Sequence, residues 1–417
     1  MDLKIYPSSL RGTVMVPSSK SITHRYLICA ALSGGKSIIY KPLICDDTLA
    51  TISVLKKFGA KFKFDKDRVI VKGCGMPKNK DRSLTVLESA TTLRMLLPLL
   101  VLFCSKLYIS SSQRLVDRIF TSDLLNLKGL HFQRKRHLIS IEGTLEAKNI
   151  VLSGKITTQL ISGVLLVLPY LEEGTTLQIK DINFDNPYIK LTLDAMKKFN
   201  INYIIDQDKI RVESKQKYTA CNLSVEADYS NGAVWLAASY FHPNLNVAGL
   251  SMDSLQGDKK IIDFLDEMGV QLSYTGNIFS YSSGYLTSAS IDTNETPDLA
   301  PILVSIASKA SGTIIITGTS KLKYKESNRK LVITDIINSL GGNVNVIDDK
   351  IQIQGTEELL GGVEVYSHND HRIVMAVAIL GTVCEEPIII TDFQAVKKSY
   401  PDFFTVLASL GARIEVL

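Results

Sequence analysis

The sequence predicts an α/β chain built from α+β repeats and grouped as two similar domains, and three observations point there. At 417 residues the chain exceeds what one ordinary hydrophobic core organises, so two domains of roughly 200 residues are expected. One pattern recurs six times: the end of an amphipathic helix, a Gly or Asn turn, an alternating strand, a polar turn and a second alternating strand. The turn residues Gly59, Gly129, Asn200, Gly269, Gly341 and Gly411 are separated by 70, 71, 69, 72 and 70 positions.

The copies occupy residues 55–73, 125–143, 196–214, 265–284, 337–355 and 407–417, the last cut short by the chain end. Gly, with Asn as its usual substitute, is what a left-handed helix cap requires. Strands that alternate apolar and polar residues fit half-buried hairpins. The period is longer than the 20 to 50 residues of solenoid repeats, so six modules group most naturally as two sets of three.

Near the N-terminus, Pro17-Ser18-Ser19-Lys20-Ser21-Ile22-Thr23-His24-Arg25 sets two cations and four small hydroxyls beside a helix start. Such a start suits an anion, because free backbone N–H groups, the helix dipole and full charges act together. A capped helix with a basic end is the simpler alternative. Gly34-Gly35-Lys36-Ser37 resembles the end of a phosphate loop, but the first glycine of that motif would fall at Ala30, inside a helical pattern. Gly73-Cys74-Gly75 follows a strand, yet Lys78 stands where a dinucleotide fingerprint needs Gly. Both read as turns.

Further cations sit at loop or helix-start positions: Arg94, Arg118, Lys325, Arg329, Arg372 and Lys398. Their joint occurrence matches sites for phosphate and carboxylate. Asp298 precedes an apolar helix where an N-cap would stand. Glu326 lies between Lys325 and Arg329, and His371 between Asp370 and Arg372. No third ligand accompanies His368 and His371, which argues against a metal.

Lys plus Arg number 47 against 42 Asp plus Glu, a formal charge of +5 without long basic runs, which favours small anions over nucleic acid. Six scattered cysteines show no metal spacing and read as reduced thiols. The most apolar run, residues 95–104, contains Pro98 and is too short to span a bilayer. With no signal or transit pattern after Met1, a cytoplasmic location is expected, with no membrane partner.

Taken together, the motifs PSSKSITHR (17–25), ESATTLR (88–94), QRLVDR (113–118), ITTQ (156–159), NPYIKLTLDAM (186–196), VEADYSNGA (225–233), QGD (256–258), TPDLAP (296–301), KYKESNR (323–329), NDHR (369–372) and KKSYPDFF (397–404) resemble the 5-enolpyruvylshikimate-3-phosphate synthase family of enolpyruvyl transferases, across essentially the whole chain. The resemblance implies two domains, each of three βαβαββ units. It places residues 1–17 with 228–417 in one domain and 18–227 in the other, with the active site in the cleft between them. It also implies transfer of the enolpyruvyl group of phosphoenolpyruvate to the 5-hydroxyl of shikimate 3-phosphate, with no cofactor and no metal, by a monomer.

By motif position the resemblance implies that Asp298 contacts the attacking hydroxyl and that Lys20 and Glu326 form the acid/base pair. Ser21, Arg25, Thr157, Thr158, Gln159, Tyr188 and Lys325, with Lys20 and Asp298, match shikimate 3-phosphate contacts. Arg118, Gln159, Arg329, Arg372 and Lys398, with Lys20 and Ala90, match phosphoenolpyruvate contacts. Glu88 and Asp185 replace uncharged residues near anionic ligands. Ala90 stands where Gly is usual, and its methyl is expected to weaken glyphosate more than the smaller substrate. A related transferase acting on UDP-N-acetylglucosamine uses a loop cysteine that has no counterpart here. A catalytically dead, metabolite-binding paralogue would not need Lys20, Asp298, Glu326 and His371 together.

Overall fold

The computed structural model describes residues 2–76, 83–120, 127–146, 148–155, 157–171, 175–212 and 216–417. Ile156 of the ITTQ motif, and Leu125, Asn126, Glu213 and Ser214 of the repeats, lie outside the described residues. The chain divides into two compact units. One, called here the N-unit, is Ser18–Val225; the other, the C-unit, is Met1–Pro17 with Glu226–Leu417. The second boundary falls two residues earlier than the one expected after position 227.

Each unit holds three four-stranded sheets of one design. Within each, a first strand runs parallel to a second, and a hairpin strand pairs antiparallel with the second and with its own partner. In the N-unit the first sheet is Asn222–Ser224, Lys36–Tyr40, Arg68–Lys72 and Lys61–Asp65, with helices α1 (Lys20–Leu32) and α2 (Asp46–Lys57). The second is Ser83–Thr85, Lys106–Ser110, Leu138–Gly143 and Leu130–Lys135, with α3 (Ala90–Phe103) and α4 (Gln113–Phe120). The third is Asn149–Ser153, Thr176–Lys180, Lys209–Val212 and Tyr203–Asp206, with α5 (Gln159–Val167) and α6 (Pro187–Lys198).

The C-unit repeats the plan. Its sheets carry α7 (Tyr229–Phe241) and α8 (Ile261–Glu267), then α9 (Ala300–Ala307) and α10 (Arg329–Ser339), then α11 (His371–Gly381) and α12 (Phe403–Ser409). Two N-terminal strands enter it. Gly12–Met15 pairs parallel with Leu245–Ala248 and opens the fourth repeat. Asp2–Tyr6 lies antiparallel between Ile388–Thr391 and Arg413–Val416 and supplies the strand that the truncated sixth repeat lacks.

The turn residues behave as their chemistry demands. Gly59, Gly129, Asn200, Gly269, Gly341 and Gly411 all have φ between 66° and 108°. At Gly59, for example, its N–H reaches the Lys56 carbonyl at 3.0 Å while the Ala60 N–H reaches Leu55 at 3.2 Å, satisfying two terminal carbonyls of α2. The phosphate-loop resemblance ends in the strand Lys36–Tyr40, not in a helix, so no helix N-terminus faces that turn.

One helix of each pair is buried nearly all round: α1, α3, α5, α7, α9 and α11. In these helices the buried charged side chains Arg25, Arg94 and Arg372 and the rings of His24 and His371 lie in the N-terminal half. Packing is tight enough to fix those segments. A Cβ added to Gly163 of α5 would come within 2.7 Å of the Arg94 carbonyl and 2.8 Å of the Met95 carbonyl of α3. Only glycine permits that approach. In the C-unit Trp235 is fully buried and meets the Phe403 ring at 5.2 Å.

Candidate active site

The site motifs fall at the N-termini of the six buried helices. Lys20 opens α1, Ala90 opens α3 and Gln159 opens α5. In the C-unit Asp228 caps α7, Asp298 stands two residues before α9, and Asp370 caps α11. Each such end offers unsatisfied N–H groups and partial positive charge.

In the N-unit, side chains tie the three helix starts together. Ser19 caps α1, so the capped-helix reading and the cation cluster both describe this segment. Lys20 Nζ pairs with Asp47 Oδ2 at 2.8 Å. The Asp47 carbonyl accepts from Thr92, whose hydroxyl contacts Ser89, the cap of α3, and Thr51; Thr51 in turn meets His24 Nδ1 at 2.8 Å. Burial, with Lys20 and Arg25 adding to it, holds His24 well below the usual imidazole range. Arg94, also buried, donates to Gln159 Oε1 at 3.1 Å, and Gln159 Nε2 donates to Thr91 at 2.9 Å.

Arg25 is buried, with four bonds: to Thr192 Oγ1, Ser162 Oγ and the Ser21 and Tyr188 carbonyls, at 2.8 to 3.2 Å. All four acceptors are neutral. Burial pushes the guanidinium down to about 10, which leaves it charged at neutral pH. Thr157, Thr158 and Tyr188 are partly exposed around the α5 and α6 starts, and Arg118 is partly exposed in the last turn of α4. Ala90 is buried in the first turn of α3. Asp185 points outward, 82% exposed, and pairs with Lys190 at 3.0 Å.

The C-unit site is built on carboxylates. Arg329, 1% exposed, donates from Nε and Nη2 to Asp370, from Nη1 to Asp298 at 2.7 Å and from Nη2 to Glu326 at 2.6 Å. Four of the five guanidinium N–H groups are thereby taken. Asp370 also accepts from the Ser327 N–H and hydroxyl and from the Arg372 N–H. Lys325 Nζ reaches Asp298 at 3.0 Å.

Asp298 is not the helix cap that its position suggested. The cap is Leu299, which makes no side-chain bond there, and Asp298 is drawn instead to two cations. Burial works to raise its carboxyl, but Lys325, Arg329 and Arg372 outweigh burial and hold it well below the usual range. Arg372, buried, is held by Nη1 on the Ser230 carbonyl at 2.6 Å and on Asn231 Oδ1 at 3.2 Å. Its Nε has no hydrogen-bond partner among the described residues. Lys398 Nζ bonds the Asn369 carbonyl at 2.7 Å. His371 is buried beside Asp370, its Nδ1 4.0 Å from Oδ1.

Asp47, Asp370 and the Arg94–Gln159 bond were not singled out from sequence as site features. Arg94 and Asp370 stand inside the motifs ESATTLR and NDHR, but a lone aspartate such as Asp47 carries no local signature. Among the described residues, no group of three or more His, Cys, Asp or Glu side chains is placed to hold a metal, and no helix is long and apolar enough to cross a membrane.

Two units, each of three like sheets with three buried helices, have the fold of an enolpyruvyl transferase. The enolpyruvyl transferase NikO from Streptomyces tendae superposes with a TM-score of 0.75 at 15% identity, over 99% of this chain and 98% of that one. EPSP synthase from Acinetobacter baumannii superposes at 0.79 and 24% identity, over 100% of both chains. The chain belongs to the EPSP synthase (3-phosphoshikimate 1-carboxyvinyltransferase) family, whose profile matches residues 5–407. Among its relatives are proteins named 3-phosphoshikimate 1-carboxyvinyltransferase from Clostridium beijerinckii and Clostridioides difficile. Each is 35% identical; the first match covers 98% of this chain and 97% of that protein, the second 99% and 98%.

Proposed function

We propose that this chain transfers the enolpyruvyl group of phosphoenolpyruvate to the 5-hydroxyl of shikimate 3-phosphate and releases phosphate through a tetrahedral intermediate, acting as a cytoplasmic monomer. Family membership and the named relatives support the reaction. The observation that carries the reading to these residues is the cation count at the buried helix starts, matched to ligands that bring two phosphates and two carboxylates.

Lys20, Ser21, Arg25, Thr157, Thr158, Gln159, Tyr188 and Lys325 hold shikimate 3-phosphate, while Ala90, Arg118, Arg329, Arg372 and Lys398 hold phosphoenolpyruvate. Arg25 has four of its five N–H groups on protein acceptors, so it acts chiefly by its charge and by fixing the Tyr188 backbone. Asp298 takes the hydroxyl proton. It is a weak base while Lys325, Arg329 and Arg372 stabilise its ionised form. A substrate phosphate that draws Lys325 away raises its basicity, so binding prepares the base. Glu326 and Lys20 serve proton transfer at the enol carbons, and the helix starts stabilise developing negative charge.

The experiment is phosphate release from phosphoenolpyruvate with and without shikimate 3-phosphate. Release that depends on shikimate 3-phosphate is expected; folded protein that gives none refutes the assignment.

A further inference from the structure

Asp258 lies in the short helical turn Gly257–Lys260 and is 2% exposed. Its Oδ2 accepts a hydrogen bond from the Ser230 hydroxyl. Its Oδ1 is buried with no hydrogen-bond partner among the described residues. An ionised carboxylate in such a place is unsatisfied at one oxygen, whereas a protonated acid needs far less solvation.

Ser230 joins this acid to the site. Its side chain bonds Asp258, and its carbonyl is the 2.6 Å acceptor for Arg372 Nη1. The start of α7 is fixed independently. Gln256 Oε1 accepts from the Tyr229 N–H, its Nε2 bonds the Ala227 carbonyl, and Asn231 Nδ2 bonds the Ser399 carbonyl.

We propose that Asp258 is a positioning residue that acts through Ser230 on Arg372, and that gain or loss of its proton sets how strongly Arg372 binds the anionic substrate. The proposal rests on the reading of Arg372 as a phosphoenolpyruvate contact.

The charged groups that face Asp258 are Asp298 before α9, Asp228 at the cap of α7 and Arg372 on α11. On its own turn, Lys259 is spent on the Met252 carbonyl and Lys260 on Glu295. Burial, then the Asp298 charge, push the Asp258 carboxyl up to about 7, against the opposing pull of Ser230 and Arg372. Below that pH the acid is neutral and Arg372 is free to serve the substrate. Above it, a second carboxylate competes for Arg372 and repels the incoming anion, so substrate affinity falls.

The test compares the KM for phosphoenolpyruvate of wild type and Asp258→Asn from pH 6 to 8.5. Ionisation of the substrates is common to both enzymes, so the ratio of the two KM values isolates Asp258. The wild-type KM is expected to rise about fivefold relative to the variant across that range. Parallel profiles overturn the proposal. Ser230→Ala, which removes the bond that favours the ionised form, moves the wild-type inflection to higher pH; an unmoved inflection also counts against it. Carboxyl-labelled aspartate followed by NMR in the full chain gives a readout free of turnover: one resonance titrating near neutrality and lost in Asp258→Asn is expected, and its absence overturns the proposal. Arg372→Gln separates the two readings. If its KM for phosphoenolpyruvate is unchanged, the assignment of Arg372 fails; if it rises tenfold or more while the Asp258→Asn profile stays parallel, only the Asp258 inference fails.

Discussion

The two units share one architecture, yet a buried arginine in each, Arg25 and Arg329, is held in opposite ways. In the N-unit, Arg25 is surrounded by hydroxyls and backbone carbonyls, and its charge is left uncancelled. In the C-unit, Arg329 is met by three carboxylates, Asp298, Glu326 and Asp370. Neutral acceptors hold a cation in place while preserving its field for an anion, and carboxylate partners convert the same residue type into an organiser of proton-transfer groups. Under the proposed function, Arg25 binds by its field while Arg329 holds the Asp298 and Glu326 carboxylates for proton transfer.

The most damaging way to probe that contrast is to remove each arginine. Arg329→Gln leaves buried Asp370 without its ionic partner and is expected to cost about 3–5 kcal/mol in urea unfolding. Arg25→Gln strips only hydrogen bonds to neutral groups and should cost roughly 1–3 kcal/mol. Equal losses would break the comparison. Acid tests the C-unit at a different point. Leu10 N–H donates to His242 Nδ1, so Nε2 must carry the proton given to Thr382, whose own hydroxyl bonds the Ile379 carbonyl. Burial lowers this ring to about 4. A histidine lowered on folding contributes stability that is complete above its unfolded value near 6.5 and falls as pH drops toward 4, here by up to about 3 kcal/mol. His242→Asn should flatten unfolding free energies between pH 7 and 4.5; an unchanged slope would assign acid sensitivity to the carboxylates alone.

A smaller effect is expected at the helix crossing that sets the N-unit site. Gly163→Ala forces α5 away from α3 and should cost about 1–3 kcal/mol, with a raised KM for phosphoenolpyruvate because Arg94 and Gln159 move with those helices. The smallest is at Ala90. Restoring glycine by Ala90→Gly is expected to tighten glyphosate inhibition more than it lowers the KM for phosphoenolpyruvate. A wild-type inhibition constant already far below that KM would contradict the crowding role of the methyl.

What was legible in the sequence follows from the range of each interaction. The six C-caps were visible because positive φ restricts residue choice locally, and Gly59, Asn200 and their counterparts all adopt it. The cations were visible because the motifs that hold them are contiguous. The completion of the sixth repeat was not, since Leu3 pairs with Val416 and no local pattern announces a partner at the other end of the chain. The sequence left capping open for Asp298 for a related reason: proximity to a helix start is local, whereas its pairing with Lys325 and Arg329 depends on tertiary packing. Asp47 and Asp258 are single aspartates whose meaning arises only from Lys20 and Ser230 beside them.

The proton-transfer role proposed for Asp298 is tested most directly by steady-state phosphate release from Asp298→Asn over a range of shikimate 3-phosphate concentrations. The expected result is a kcat lowered by at least about 100-fold with a KM for shikimate 3-phosphate within about fivefold of wild type, because the cations assigned to that ligand are unchanged. A preserved kcat with a strongly raised KM would contradict the account and make Asp298 a binding group.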